Sequence, residues 1–171
     1  MGWLFSSRWL ERKDLIKHLT EGNGVKTLKH CLVGNHLWCV HEYELPHRTI
    51  RYICLYLMQG PLPRNNKYDG DDRNWWGYKD VDETMGPCET SCPVSYLEMC
   101  TAPENKYAYE WRQRVYARGR NARALKVGSR WKIGNKVAEI LKRRSPNAFL
   151  IDMDGMRYRC GIRYLLGRGA A

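Results

Sequence analysis

The chain has no long apolar run. Its longest uninterrupted stretch, Ile53 to Met58, is far too short to cross a bilayer, and no segment reads as a signal peptide. The expectation is a cytoplasmic protein with no membrane partner. The seven cysteines are odd in number, which argues for free thiols in a reducing compartment rather than a disulfide framework. Compact zinc-knuckle spacing is also missing. Cys88 and Cys92, taken with Cys39 and His41, supply four soft ligands of the type Zn²⁺ prefers, but not at the spacing of a two-knuckle site, so no metal and no cofactor is expected.

Acid is scarce at one end. Residues 105–171 hold 4 Asp/Glu against 17 Lys/Arg, whereas residues 1–104 hold 14 against 12, so the net charge of +11 comes from the last third. Such asymmetry points to a polyanion, with nucleic acid or a nucleoprotein complex as the first partner class and an acidic host protein as the alternative. The candidate contacts are Arg118, Arg120 and Arg123 on a helix, Arg130 and Lys132 on a strand, and the run Lys142-Arg143-Arg144 beside a turn. Phosphate contact needs cations on an exposed rim.

What is present reads in order as α+β. Ser6 or Ser7 caps a helix over Arg8 to Thr20, with Trp9, Leu15, Ile16 and Leu19 near one stripe. The opening Met1-Gly-Trp-Leu-Phe-Ser formally fits a myristoylation pattern, although Trp3, Leu4 and Phe5 are more simply a first strand or staple. From Val25 the apolar period becomes two, which predicts strands over Thr27 to Val33, His36 to Leu45 and Thr49 to Gln59 as an antiparallel meander. Residues Gly60 to Asp72 read as a polar surface excursion. A longer helix is expected over Glu104 to Asn121. Four short strands follow: Lys126 to Ile133, Lys136 to Lys142, Ala148 to Met153 and Met156 to Cys160, with Asp154-Gly155 as a type I′ turn. Ile162 to Leu166 is a closing turn or short helix. The fold expected is therefore an antiparallel three- to four-stranded sheet with two or three helices over residues 1–124, then a small SH3-like β-barrel over residues 125–171.

The stretch Asn74 to Leu97 gathers two Trp, two Tyr, two Cys and four carboxylates, and reads as an ordered functional loop leading into a short helix capped by Ser91. Trp75, Trp76, Tyr78, Lys79, Asp80, Asp82 and Glu83 are its candidate partner- or ligand-contacting residues. With Trp38 the aromatics make either a stacking platform or the lid of a small core. Asp80, Asp82 and Glu83 form a carboxylate set suited to a divalent cation or to acid–base work. Cys92, placed at the first turn of the helix with His36 or His41 as base, is the best nucleophile on a thiol-enzyme reading.

Several motifs carry a resemblance: Met1-Gly-Trp-Leu-Phe, Asp14-Leu-Ile-x-x-Leu, Leu28-x-His-Cys-x-x-Gly-Asn-x-Leu-Trp38, Trp76-Gly-Tyr-Lys-Asp-x-Asp-Glu-x-Met-Gly-Pro87 and Cys92-Pro-x-x-Tyr-Leu97. Together they resemble an uncharacterised family of bacterial, phage and mobile-element proteins. The resemblance implies an N-terminal α+β unit with a small β-rich tail, and no activity or catalytic residue. The functional expectation is a non-enzymatic accessory protein that binds nucleic acid or a host nucleoprotein complex through its basic third. Antagonism of host defence is the role such a setting suggests. The alternatives are a thiol- or metal-dependent hydrolase or transferase built on Trp76 to Cys92, and a protein-binding inhibitor of an acidic host protein.

Overall fold

The computed structural model describes residues 4–5, 11–63, 74–166 and 168. The chain divides into two compact units, Met1–Gln113 and Arg114–Ala171.

In the first unit, β1 (Leu4–Phe5), β2 (Lys26–Val33), β3 (His36–Leu45), β4 (Arg48–Pro63) and β5 (Asn74–Asp82) form one antiparallel sheet in the order β1-β5-β4-β3-β2. Alternation along β3 decides its layers. Leu37, Cys39 and His41 point to one face and Trp38, Val40 and Glu42 to the other, and all six are buried, so both faces of this strand are covered. Helix α1 (Arg12–Lys17), prolonged by a π-helical turn over His18–Gly22, lays Leu15 and Leu19 on Leu37, Cys39, Cys54, Tyr56 and Met58. Removing each leucine from water contributes about 1.5–3 kcal/mol. On the opposite face Trp38 stacks on Trp111, with centroids 5.8 Å apart. Trp111 belongs to α3 (Lys106–Ala124), which follows the single turn α2 (Val94–Leu97). Both indoles keep a polar partner: Trp38 Nε1 donates to Ser91 Oγ at 3.2 Å and Trp111 Nε1 to the Glu89 carbonyl at 2.8 Å.

The most deeply buried polar residue on the α1 side, among the described residues, is His41, 1% exposed. Its Nδ1 lies 3.0 Å from Thr27 Oγ1 and its Nε2 lies 2.9 Å from the Tyr56 hydroxyl. Burial pushes the imidazole pKa down to about 4 from 6.5. Between those values the unfolded chain takes the proton more readily. Stability from this site is therefore complete above the unfolded pKa and falls as pH drops toward the folded one, by on the order of 2 kcal/mol. Urea midpoints at pH 7 and pH 4.5 should show a smaller acid loss in His41→Gln than in the parent chain. An equal loss in both proteins would remove His41 as the cause.

In the second unit, β6 (Arg130–Ile133), β7 (Lys136–Ser145), β8 (Ala148–Met153) and β9 (Met156–Gly161) form a four-stranded antiparallel sheet, followed by α4 (Ile162–Leu166). Asp154 and Gly155 have φ values of 57° and 79°, the two positive values that the type I′ turn between β8 and β9 demands. One face carries the core: Trp131, Ala138, Ile140, Phe149, Ile151, Cys160 and Leu165, with Leu125 and Ile162 packed against it. Asn121 Nδ2 ties the end of α3 to the Leu166 carbonyl at 3.1 Å.

The α+β class and most strand positions agree with the sequence reading, and several details differ. The sheet of the second unit is open, with β6 and β9 as its edges and no ladder joining them among the described residues, so closure into an SH3-like barrel is not seen. The boundary between units falls inside α3 rather than after it. Trp111 and Arg112 engage the first unit, whereas Asn121 bonds to Leu166 and Leu125 enters the second core. The expected loop from Asn74 begins as strand β5, because β4 runs on to Pro63 and offers it a partner. Ser91 does not cap α2; its hydroxyl accepts from Trp38, and Pro93 occupies the N-cap. Ser6, Ser7 and Trp9, and the part of the polar excursion from residue 64, lie outside the described residues.

Candidate functional site

Division by unit preserves the charge asymmetry. Arg114–Ala171 carries 15 Lys/Arg against 3 Asp/Glu, and Met1–Gln113 carries 14 against 15. Strand register then sorts the basic residues of the second unit. Trp131, Ile140, Ile151 and Cys160 face the core, so their odd-step neighbours face outward. Arg130 lies opposite Glu139, Glu139 opposite Asp152 and Asp152 opposite Arg157, a row crossing all four strands. A second row runs Lys142, Leu150, Arg159. Lys132 sits beside the first row on β6, opposite Val137.

The outer face thus presents five cations, Arg130, Lys132, Lys142, Arg157 and Arg159, all exposed. Its two acids, Glu139 and Asp152, are in the middle. The β6 and β9 cations stand three strand spacings apart, about 14 Å. None of the five has an ion-pair partner among the described residues. Two of the three acids of this unit are engaged locally: Asp154 pairs with Lys136 at 2.6 Å, and Asp152 Oδ1 accepts from the Gly155 amide at 3.0 Å. Positive charge is therefore both concentrated and available to a ligand.

Of the eight predicted contacts, Arg130, Lys132 and Lys142 share this face. The tripeptide Lys142-Arg143-Arg144 does not act as one patch, because register shifts flank it between Ile140 and Lys142 and between Arg143 and Ser145. Arg143 falls opposite Phe149, on the core side. Its guanidinium lies 5.8 Å from the Phe149 ring centroid, and Nη2 donates to the Pro146 carbonyl at 3.0 Å. Arg144 is exposed at the irregularity. Arg118, Arg120 and Arg123 all lie on α3, but at about 100° per residue Arg120 and Arg123 share a side and Arg118 points elsewhere. Arg157 and Arg159 are not among the predicted contacts, although Met-Arg-Tyr-Arg-Cys from 156 to 160 shows the period-two pattern that puts both on one face.

The aromatic and acidic stretch of the first unit is largely committed to structure. Trp76 sits over Gly60, where a Cβ would fall 2.7 Å from the indole Cδ2, and Arg12 lies over its ring at 5.7 Å. Tyr78 meets Tyr56 edge to face at 5.8 Å. The Trp75 backbone is in β5; its side chain lies outside the described residues. Lys79 and Asp80 alternate on β5, opposite Leu57 and Tyr56. Asp82 Oδ1 accepts from the Thr84 amide at 2.7 Å and also from the Thr84 hydroxyl. Glu83 is 2% exposed and paired with Arg112, so these three carboxylates are not one cluster. Among the described residues no group of three or more His, Cys, Asp or Glu side chains is arranged to hold a metal ion.

The thiol arrangement is likewise unsuited to nucleophilic chemistry. Cys92 precedes the N-cap of α2 instead of entering its first turn, is 5% exposed, and burial pushes its thiol pKa well above the usual range. His41 is enclosed by Thr27, Tyr52 and Tyr56, and His36 Nδ1 faces Glu89 at 3.7 Å.

Comparison with known proteins leaves these observations to stand alone: no family model matches the chain, and neither a curated protein nor a solved structure is similar to it.

Proposed function

We propose that this protein binds nucleic acid, free or within a nucleoprotein complex, through the outer face of its second sheet, and that it acts by binding rather than by catalysis. The observation that carries the reading is the set Arg130, Lys132, Lys142, Arg157 and Arg159 on one exposed face, without carboxylate partners among the described residues, in a unit with 15 basic and 3 acidic residues. Phosphates contact the β6 and β9 rails and Lys142 on β7, because Glu139 and Asp152 make the row between Arg130 and Arg157 repulsive. The sheet, short-stranded and strongly basic, serves as an SH3-like module in this reading, and the first unit supplies recognition of a protein partner. The motif resemblance is what supports reading it as a cytoplasmic protein encoded by a phage or mobile element in a bacterial host, and antagonism of a host defence complex is the role that fits that reading. No helix among the described residues is long and apolar enough to cross a membrane.

The test is salt dependence. Four phosphate contacts on a duplex give a log–log slope of about −4, so affinity for mixed-sequence DNA should fall about two orders of magnitude between 50 and 200 mM salt. A single strand gives a slope of about −3. Unchanged affinity across that range, or none at 50 mM, refutes the proposal.

A further inference from the structure

Away from the basic face, the first unit contains an open cavity of about 350 Å³ lined by Tyr43, Ile50, Tyr52, Asp82, Thr84 and Glu104. Its floor continues the sheet face that α1 covers. The leucines of α1 reach Leu37, Cys39, Cys54, Tyr56 and Met58. Beyond them Tyr43, directly opposite Ile50, and Tyr52, opposite His41, extend the same face. Tyr43 is 55% exposed, whereas Tyr52 is braced, its ring 5.7 Å from that of buried His41 and packed on the α1 core. One ring is fixed and the other is open to an incoming group.

Two carboxylates face this space. Asp82 is held in place through Oδ1 by Thr84, and its other oxygen has no partner among the described residues. Glu104 lies on the rim, with Arg48 Nη2 3.6 Å from its Oε1; both side chains are open to water, so the pair is loose and readily exchanged. Asn105 Nδ2 donates to the Thr84 carbonyl at 2.9 Å and ties the two walls together. Asp80 lies further along the same face of β5, and among the described lining residues the charged ones are both acids, Asp82 and Glu104.

Aromatic faces beside fixed anions select positive charge. A cation over a tyrosine ring gains about 0.5–1 kcal/mol at an exposed site and about 2 where desolvated. An anion or nucleotide would meet Asp82 and Glu104. The volume lies near the lower end of the roughly 300–1,000 Å³ of small-molecule sites, right for a side-chain-sized group. We propose that this cavity binds an organic cation of the alkylammonium class, its charged head beside Tyr43, Tyr52 and Asp82 and its alkyl stem on Ile50. The site is independent of the polyanion reading, and either can fail without the other.

The test titrates the full chain at constant ionic strength with three probes and follows the amide resonances of Tyr52 and Thr84. The probes are choline, its neutral carbon isostere 3,3-dimethylbutan-1-ol, and N-acetyl-lysine methylamide. Choline or the lysine probe should saturate with Kd on the order of 1 mM, and the neutral isostere should bind at least about tenfold more weakly. Saturation by choline alone assigns the site to small quaternary ammonium ions; saturation by the lysine probe assigns it to a basic side chain of a partner. Asp82→Asn, which keeps an oxygen for Thr84, and Tyr43→Ala, at an exposed position, should each weaken binding about tenfold with the spectrum otherwise unchanged. Equal binding of the isostere, full affinity in Asp82→Asn, or no saturation by either cation overturns the proposal.

Discussion

Glu83→Ala should destabilise the first unit by about 3–5 kcal/mol, a large part of the 5–15 kcal/mol that holds a typical domain. Both partners are buried, and the contact is bidentate: Arg112 Nε to Glu83 Oε2 at 2.5 Å and Nη2 to Oε1 at 2.8 Å. The same Oε1 accepts from the Ile53 amide at 3.1 Å, and Arg112 Nη1 donates to the Thr101 carbonyl at 2.7 Å. Alanine would leave a guanidinium without its counter-charge and an amide without its acceptor. Urea denaturation followed by tryptophan fluorescence reads the effect directly, since Trp38 and Trp111 stack close by in the same unit. Glu83→Gln, which can keep the Ile53 bond, should fall between the two. The pair Glu83→Leu with Arg112→Met should recover much of the loss, because two apolar groups leave no unpaired charge. A cost below about 1 kcal/mol for Glu83→Ala would mean that water already reaches the pair.

Replacing Arg130, Lys142 and Arg159 together by alanine should lower polyanion affinity roughly a thousandfold at 50 mM salt and reduce the magnitude of the salt slope by about 2–3, at about 0.9 for each phosphate no longer neutralised. All three are exposed, so the change in folding stability should be small, within about 0.5 kcal/mol per site. The companion variant changes Arg118, Arg120 and Arg123, which removes the same charge from a helix whose three arginines do not share a side. It should reduce the slope by about half as much. Filter binding or fluorescence anisotropy across a salt series separates the two. A larger loss in the helix variant would move the interface to α3, and no loss in either would remove the polyanion proposal.

These expectations differ in how far the sequence alone reaches. The meander from Lys26 to Gln59 is legible because strict alternation, a Gly34-Asn35 turn and a Pro46-His47 turn all agree. The hairpin at Asp154-Gly155 is legible for the same reason. Strand β5 is not, because Trp, Asp and Gly enrichment resembles a binding loop, and its partner is the end of β4, where Gly60, Pro61 and Pro63 look like a turn. Gly60 is there to let Trp76 approach, a reason visible only once the two segments are paired. The Glu83–Arg112 pair spans 29 residues and leaves no local signature. The basic third is legible as a quantity of charge, but which cations share a face depends on the register shifts around Lys142 and Ser145.

Strand β9 lies at the edge of its sheet. Beyond β8 it pairs with no other strand among the described residues, so one side of its backbone is open, and Met156 and Tyr158 are 61% and 40% exposed along it. Edge strands are where a second chain can add, and the exposed Arg157 and Arg159 are like charges of the kind that hold two such edges apart. On the polyanion proposal, a ligand that neutralises those arginines would weaken that repulsion as well.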